Sequence, residues 1–264
     1  MQKIIALLLL FLLFVPLERI FPLRGEQKIL RKGFFTDSIH FLVNEILIKI
    51  GTFLVLVPIA LLISDIFPTL KAWISGLHGI LQFFLAILIA DISGYWAHRL
   101  HHTIPFLWKL HSVHHSSENM DWLASARTHP LNVIINRAIA ASPLILLGFT
   151  KESFGAYLIF IALWGLFIHS NVRFELRWMR PLFATPFFHH WHHSNDPKGQ
   201  NKNFAGQFPF VDALFGTLYL PDHWPATYGI DKPMPTGYLG QMKYPFQKEE
   251  LETDTSRKAS LENR

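Results

Sequence analysis

Ten of the 15 histidines in this chain of 264 residues fall in three short clusters. The clusters read HRLHH at 98–102, HSVHH at 111–115 and HHWHH at 189–193. Imidazole is the commonest metal-binding side chain, and helical residues at i, i+3 and i+4 share one face with Cβ atoms about 5–6 Å apart. The spacing therefore predicts that each cluster points two or three imidazoles in one direction, as a metal site requires.

An isolated histidine, His169, adds to the clusters, because it ends an apolar segment where a polar side chain is costly unless it is used. A mononuclear zinc site needs about four ligands. His169 and the histidines whose spacing places them on one helix face offer about twice that number. Two metals sharing an all-nitrogen ligand set is the economical interpretation. Imidazole suits zinc, copper, iron and nickel alike, so ligand type does not choose the metal. The predicted ligands are His98, His102, His111, His114, His115, His169, His189, His192 and His193.

Other polar residues are candidates to hydrogen-bond the ligands from behind or to serve as an extra ligand. His101 and His190 point roughly 100° away from their better-phased neighbours on a helix. Asp91 lies two turns before His98, in an apolar segment where a carboxylate is expensive unless paired. The candidates for these supporting roles are Asp91, His129, His190, Asn171 and Asp212.

The elements that must position these residues are apolar. The chain is 50% hydrophobic and only 16% charged, whereas soluble domains carry about 25% charged residues. A membrane span needs about 20 apolar residues, and the first of five apolar segments is short enough to embed without crossing. Glu45 and Lys49, at the start of the second segment, can pair one helical turn apart. The segments are 4–17, 46–64, 74–93, 131–149 and 154–170.

Basic residues are distributed unevenly between the connecting regions. If 18–38, 97–130 and 171–264 share a side, nearly all Lys and Arg residues outside the apolar segments lie there, which the positive-inside rule assigns to the cytoplasm. The basic residues left opposite are Lys3, Lys71 and Lys151. The same topology brings all three clusters to one membrane face. We predict an all-α integral membrane helical bundle of about four to five membrane segments, with a histidine-rich cytoplasmic cap that holds a dimetal site.

Composition also excludes several classes of site. The absence of cysteine excludes disulfides, thiolate zinc sites and cysteine-ligated iron–sulfur clusters. The basic residues form no stripe with stacking aromatics, which argues against a nucleic-acid partner. A histidine-rich membrane metal transporter or metal-binding protein is the alternative, but transporters place ligands near the midplane, whereas these histidines lie at segment ends. A hydrolytic zinc enzyme would need fewer imidazoles and an open position.

The ordered motifs resemble the fatty acid hydroxylase and sterol desaturase superfamily. The order is H-x3-H from His98, H-x2-H-H from His111, an isolated His169-Ser-Asn, and H-x2-H-H from His189. The stretches KNFAG and FVDALFGT that follow the last cluster match as well. The resemblance covers about residues 80–221 and assigns the superfamily with much more specificity than the substrate.

The resemblance implies a membrane-bound non-haem di-iron oxygenase that uses O2 and two electrons to hydroxylate or desaturate a lipid, such as a fatty acyl chain, sterol or ether lipid. The implied cofactors are two iron ions, which zinc can replace in purified protein, with O2 as cosubstrate. Some hydroxylases of the superfamily have a further histidine four residues after the isolated one, where this chain has Arg173. The second metal would then have one imidazole fewer, unless His129, His190 or water substitutes.

Hydropathy and the resemblance together divide the chain into N-terminal membrane segments (1–78), a fatty acid hydroxylase-type catalytic domain (79–245) and, where apolar periodicity is lost, a disordered polar tail (246–264). No small-x-small cleavage site follows the first apolar run, so we expect that segment to remain uncleaved. No dinucleotide or haem-attachment motif is present, so electrons must come from a separate reductase with a ferredoxin-like or small haem carrier. We expect a bacterial inner membrane with the site facing the cytoplasm, or the endoplasmic reticulum in a eukaryote.

Overall fold

Helices make up nearly all regular structure in the computed structural model, which describes residues 2–174 and 176–247. The α-helices are α1 (Gln2–Ile20), α2 (Phe34–Leu62), α3 (Pro68–Ser75), α4 (Gly79–Thr103), α5 (Pro105–His115), α6 (Pro130–Leu147), α7 (Lys151–His169), α8 (Pro186–His192), α9 (Pro209–Leu214) and α10 (Tyr238–Lys243). Short 3-10 helices cover Trp122–Ala126, Arg177–Met179 and Tyr244–Phe246. Extended pairing within the described residues is limited to two isolated bridges, so the predicted all-α class is confirmed.

Four helices, α2, α4, α6 and α7, are long and apolar enough to cross a membrane. They expose large apolar side chains, among them Phe53 and Leu62 at 65% and 81% of their surface. Such surface is compatible with lipid and not with water. The chain is an integral membrane protein, and the lower limit of the predicted four to five segments agrees with these four helices.

The predicted third segment, 74–93, is divided in the structure. α3 ends at Ser75, and α4 begins at Gly79 after His78, whose Nδ1 accepts a hydrogen bond from the Ile80 N–H at 3.3 Å. α4 then continues ten residues beyond the apolar segment. The histidines of the first cluster therefore occupy the last turns of a membrane helix.

Both ends of α1, which is not among the four spanning candidates, contact the histidine-bearing side of the molecule. Lys3 forms an ion pair with Glu45, which follows the part of α2 that contacts the cap. At the other end, Glu18 Oε1 accepts hydrogen bonds from the backbone N–H groups of Trp122 and Asn171 at 2.8 and 2.9 Å. Lys3 therefore lies near the histidine side and not, as expected, opposite it.

The membrane helices pack through small side chains. Ala86 and Ala90 of α4 are buried in a cluster with Leu144 of α6 and Tyr157 of α7. At Gly94, a Cβ atom would lie 3.9 Å from Ala140. Small residues allow membrane helices to approach closely, and this packing aligns the histidine-bearing ends of α4 and α7 with the start of α6.

Charged contacts complete the fold at the membrane face. The predicted pair of Glu45 and Lys49 is confirmed, with 2.8 Å between Oε1 and Nζ. In the cap, Asp37 of α2 accepts from Arg31 Nη1 at 2.7 Å and from Arg127 Nε at 2.6 Å, all three side chains being buried. Paired hydrogen-bonded charges are the form in which buried charge is tolerated, so this network holds the start of α2 against the loop that precedes α6.

The three predicted divisions of the chain stay predictions. Of the expected tail, 246–264, Phe246 ends a short 3-10 helix, and residues 248–264 lie outside the described residues.

Candidate metal centre

The nine predicted ligands converge in two groups, within each of which the candidate ligand atoms all lie within 4.8 Å of one another. No other described residue belongs to either group. The five-histidine group contains His98, His102, His111, His115 and His192. The four-histidine group contains His114, His169, His189 and His193.

Four helices bring these side chains together. α4 presents His98 and His102 one turn apart, while α5 runs back from Thr103 after the extended residue Ile104 and Pro105. α8 likewise begins with a proline in its first turn. Proline at the start of a helix fits because its φ angle is already helical and the first N–H groups are unpaired in any case. The short helices can therefore begin abruptly, with their histidines directed at the ends of α4 and α7.

Backbone carbonyls hold the Nδ1 atoms of several ligands. Because a carbonyl oxygen can only accept, each such Nδ1 must carry the proton, which leaves Nε2 with an unprotonated lone pair in the neutral ring. The contacts are His98 to Phe204 O (2.7 Å), His114 to Arg127 O (3.1 Å), His169 to Gly165 O (2.6 Å) and His192 to Lys202 O (2.8 Å). In the same way His111 Nδ1 lies 3.2 Å from Asn132 Oδ1.

The Nε2 atoms then face one another without a proton between them. His98 Nε2 lies 3.0 Å from His111 Nε2, and His114 Nε2 lies 3.0 Å from His169 Nε2. Two opposed lone pairs at this distance repel unless a cation lies beside both. Bonds of about 2.1 Å to one ion, at right angles, place two donor nitrogens about 3.0 Å apart. The nitrogen spacing therefore fits a shared metal ion in each group.

Unpaired buried nitrogens give the same result. In the described part of the chain, His102 Nε2 and His192 Nε2, which belong to two rings of the five-histidine group, are buried without a hydrogen-bond partner. Buried polar atoms without partners are rare and need an explanation. Coordination to a metal ion satisfies these nitrogens, so the residues present fit the group that the motifs imply.

Burial keeps the imidazoles in the form that binds metal. Desolvation by burial, the largest of several causes, lowers the pKa of His114 to about 4. The same burial, with repulsion from neighbouring imidazoles, lowers the pKa of His115 and His193 well below the usual value. Histidine must be neutral to ligate a metal, so these rings are ready to bind at neutral pH.

The two groups are adjacent. The rings of His115 and His193, one from each group, stack with centroids 4.4 Å apart, and the rings of His192 and His189, again one from each group, stack at 5.4 Å. Two ions in these groups would therefore share one centre and could act on one substrate.

Two predicted extra ligands, His190 and His129, belong to neither group. His190 Nε2 donates to Ser170 O at 3.1 Å and its Nδ1 accepts from the Tyr228 hydroxyl at 2.7 Å. His129 caps α6, accepting from the Leu131 N–H at Nδ1 and donating to Met242 O from Nε2, both at 3.3 Å. Both rings have already used both nitrogens, which corrects the expectation that they could substitute as ligands.

The predicted supporting carboxylates do not touch the ligand rings. Asp91 accepts hydrogen bonds from three successive backbone N–H groups, those of residues 206–208, at 2.7 to 3.0 Å. Asp212 accepts from the N–H groups of Phe204 and Ala205, each at 2.8 Å. They hold the backbone whose carbonyls at Lys202 and Phe204 accept from ligands, so their support is one step further from the metals than expected.

Asn171 also acts through the backbone rather than on a ligand. Its Oδ1 accepts from the Arg24 N–H and its Nδ2 donates to the Arg24 carbonyl, both at 3.0 Å. This pair fastens the chain after α1 to the end of α7, and it corrects the predicted contact of Asn171 with a ligand.

Sequence reasoning missed Asn132, whose amide oxygen accepts from His111. A signal existed, because an amide in the first turn of a membrane helix is costly unless it has a partner. The carbonyl acceptors at Arg127 and Gly165 had no such signal, since every residue carries a carbonyl.

Arg173 is exposed, and its backbone N–H donates to Phe21 O at 2.8 Å. It lies in neither group. The four-histidine group has one imidazole fewer than its neighbour, and the expectation that the departure from the motif at Arg173 causes this difference stays a prediction.

Two cavities reach the centre from different directions. A cavity of about 290 Å³ is lined by residues of α6 and α7, such as Asn136 and Gly165, and reaches both groups. A cavity of about 420 Å³ opens among cap residues such as Asn201 and reaches His102 and His115 of the five-histidine group. The first lies between membrane helices, whereas the second lies among residues of the cap.

Comparisons with known proteins agree with this geometry. The model of the fatty acid hydroxylase family matches residues 83–217, which is more than half of the chain and contains both groups. No solved structure matches the chain significantly.

Several characterised enzymes are similar in sequence. An ornithine lipid hydroxylase of Rhizobium tropici is 33% identical over 171 residues, covering 63% of this chain and 51% of that protein. An alkylglycerol monooxygenase of Danio rerio is 33% identical over 160 residues, 61% of this chain and 35% of that protein. A methylsterol monooxygenase of Arabidopsis thaliana is 26% identical over 146 residues, 52% of each. The matches thus span about half the length of these relatives or less, and by its motifs and family match the chain belongs to the fatty acid hydroxylase family.

Proposed function

We propose that this chain is a membrane-embedded lipid monooxygenase of the di-iron type, which uses O2 and two electrons to hydroxylate or desaturate a lipid. The observation that carries the proposal is the convergence of unprotonated Nε2 atoms in two adjacent buried groups at one end of the membrane helices. Hydroxylation inserts one oxygen atom into a C–H bond and reduces the other to water with two electrons and two protons. Desaturation removes two hydrogens and reduces both oxygen atoms to water.

Each histidine group would hold one iron ion. Bound iron supplies the oxidising power for C–H cleavage, which no amino-acid side chain can provide. The chain's own part is to keep the rings neutral by burial, to orient them through Nδ1 hydrogen bonds, and to keep ions at a fixed separation. Hydrogen bonds behind metal-bound histidines raise ligand basicity and fix ring orientation.

A lipid substrate is supported by the position of the centre. The cavity between α6 and α7 lies between membrane helices and reaches both histidine groups, so it would give a lipid chain a path from the bilayer to the centre. By their names, the relatives act on an ornithine lipid, alkylglycerol and methylsterol. We extend the common element of these names, a lipid, to this chain.

Electrons would come from a separate reductase with a carrier, because the sequence lacks cysteine and a dinucleotide motif. The excess of basic residues on the histidine side supports a cytoplasmic orientation of the centre. A carrier would then approach the cap, where the larger cavity reaches His102.

The test is metal analysis of protein purified from iron-supplemented cells, combined with lipid mass spectrometry under 18O2. We expect about two irons per chain, and a lipid that gains one labelled oxygen or loses two hydrogens. His192→Ala should lose the metal of the five-histidine group, and His114→Ala that of the four-histidine group. The exposed His223, changed to Ala, is the matched control and should keep both metals.

One stoichiometric zinc after iron loading, with no O2 uptake under reduction, would overturn the proposal. Metal flux into proteoliposomes without lipid oxidation would instead favour the transporter alternative.

A further inference from the structure

The cavity between α6 and α7 is polar where it meets the histidines, although membrane helices form it. Its apolar wall comes from Ala162, Gly165 and Leu166 of α7. The opposite lining contains two hydroxyls and two amides. They are Ser125, Thr128, Asn132 and Asn136.

Three of these four side chains already have a partner. Asn132 accepts from His111, Ser125 Oγ donates to Trp122 O at 2.7 Å, and Thr128 Oγ1 lies 3.5 Å from Ala126 O. The fourth, Asn136, is half-buried and lies one turn further along the same face of α6. Among residues 2–174 and 176–247, its amide has no hydrogen-bond partner.

An amide without a partner is expensive in a membrane helix, because lipid offers it no hydrogen bond. Packing does not require an amide at this position either, since an apolar side chain of the same size would fill the same space. The position in the wall of a cavity that contains four ligand histidines suggests that the partner is a bound molecule.

The distance to the metal ligands narrows where that molecule must present its polar group. Asn136 lies one helical turn beyond Asn132 on α6, about 6 Å along the axis. Asn132 accepts a hydrogen bond from His111 of the five-histidine group, and His111 lines the same cavity as Asn136. A polar group that is bound at Asn136 would therefore lie close to the histidine groups.

We propose that Asn136 is a specificity-determining residue that hydrogen-bonds an uncharged oxygen-bearing group of the lipid, such as a hydroxyl, ester or amide. This inference rests on the proposed lipid oxidation and specifies where the substrate is held. The polar end of the lipid occupies the cavity between α6 and α7, so the oxidised carbon lies near that polar group and not near the chain terminus.

The test uses three variants of the full-length chain. Asn136→Leu removes the amide at similar volume, Asn136→Gln restores an amide, and Ser142→Ala removes a hydroxyl of α6 outside the cavity lining. Binding is measured on metal-stripped protein in detergent, by mass spectrometry of retained 1-monoacylglycerol against the n-alkane of equal chain length. Iron-loaded protein is then assayed for KM, kcat and the labelled carbon of the product.

We expect Asn136→Leu to reduce the preference for monoacylglycerol about tenfold, the equivalent of one hydrogen bond. Its KM should rise more than its kcat falls, its iron content should remain, and its product should be labelled at several carbons. Asn136→Gln should recover at least part of the preference, and Ser142→Ala should match the wild type.

Unchanged binding preference and an unchanged labelling position in Asn136→Leu would overturn the inference while leaving lipid oxidation intact. Conversely, a lost preference in metal-stripped Asn136→Leu, with no lipid oxidised by iron-loaded wild type, would support the binding role and refute the proposed function. A wild-type protein that binds monoacylglycerol no better than the alkane also overturns the inference.

Discussion

Changing Asp91 to Asn tests whether a buried carboxylate in α4 supports the metal centre through the backbone. Asp91 Oδ1 accepts from the N–H groups of Gly206 and Gln207 at 2.8 and 3.0 Å, and Oδ2 accepts from Phe208 N–H at 2.7 Å. An asparagine has only one acceptor oxygen. At least one of the three donors would then face an NH2 group and remain unpaired.

The expected size of the effect follows from these bonds. A hydrogen bond to a charged group contributes about 1.5–3 kcal/mol, and Asp91→Asn loses at least one. We expect the free energy of unfolding to fall by about 2 kcal/mol, or about 4–8 °C in melting temperature for a chain of this size. The backbone at Lys202 and Phe204 accepts from His192 and His98, so metal affinity should fall in the five-histidine group and persist in the four-histidine group.

The assay is thermal unfolding in detergent, with metal content per chain measured in parallel. Glu118→Gln is the control, because it breaks an exposed ion pair with Lys32, and exposed pairs contribute about 0–1 kcal/mol. If Asp91→Asn keeps the wild-type melting temperature and both metals, the account of backbone support through Asp91 is refuted.

Three further predictions test the ligand assignment, a buried acid and the position of α1. His102→Ala should lose metal from the five-histidine group, whereas His101→Ala, whose ring lies outside both groups, should keep it; equal losses by metal analysis would contradict the assignment. Burial raises the pKa of Glu18 from 4.5 to about 7, so between these pH values the folded state binds more protons than the unfolded state. The free energy of unfolding should therefore fall as the pH rises from about 4.5 to 7. Glu18→Gln should keep an acceptor oxygen and flatten the melting temperature over that range, and an unchanged pH profile would argue against this role. Because the chain has no cysteine, single cysteines introduced at Gln2 and Ser75 can be labelled with an impermeant maleimide. We expect the cysteine at position 2 to be labelled from the histidine side and the cysteine at position 75 from the opposite side. Labelling of both positions from the side opposite the histidines would show that α1 crosses the membrane.

Helical periodicity was sufficient to select the nine candidate ligands that the structure brings together. Residues at i, i+3 and i+4 share a face in any α-helix, so the rings of His98 and His102 had to project together wherever α4 packed. Spacing also separated His101 from His102, although both are adjacent in the chain. The structure assigns only His102 to a group, because the helix turns about 100° per residue.

Supporting residues were harder to predict, because they act through atoms that every residue carries. The acceptors behind His114 and His169 are the backbone carbonyls of Arg127 and Gly165, whose role cannot be predicted from the type of side chain. Asp91 was recognised as a carboxylate that needed partners, but its partners are backbone N–H groups more than a hundred residues further along the chain.

The position of α1 shows a different limit. Its apolar run predicted a membrane segment, and charge placed Lys3 opposite the histidines. The ion pair of Lys3 with Glu45 and the hydrogen bonds of Glu18 depend on how α1 packs, which hydropathy does not report.

The sequence by itself determined the all-α class, the membrane character and the nine candidate imidazoles, because periodicity and hydropathy are local properties of the chain. Tertiary structure alone decided how those imidazoles divide into groups of five and four, since His114 and His115 are neighbours in the chain and yet face different groups. It also decided that both ring nitrogens of His190 and of His129 form hydrogen bonds outside the two histidine groups, and that Asn136 faces a cavity. These outcomes depend on which distant backbone approaches each ring, and that is fixed only when the helices pack.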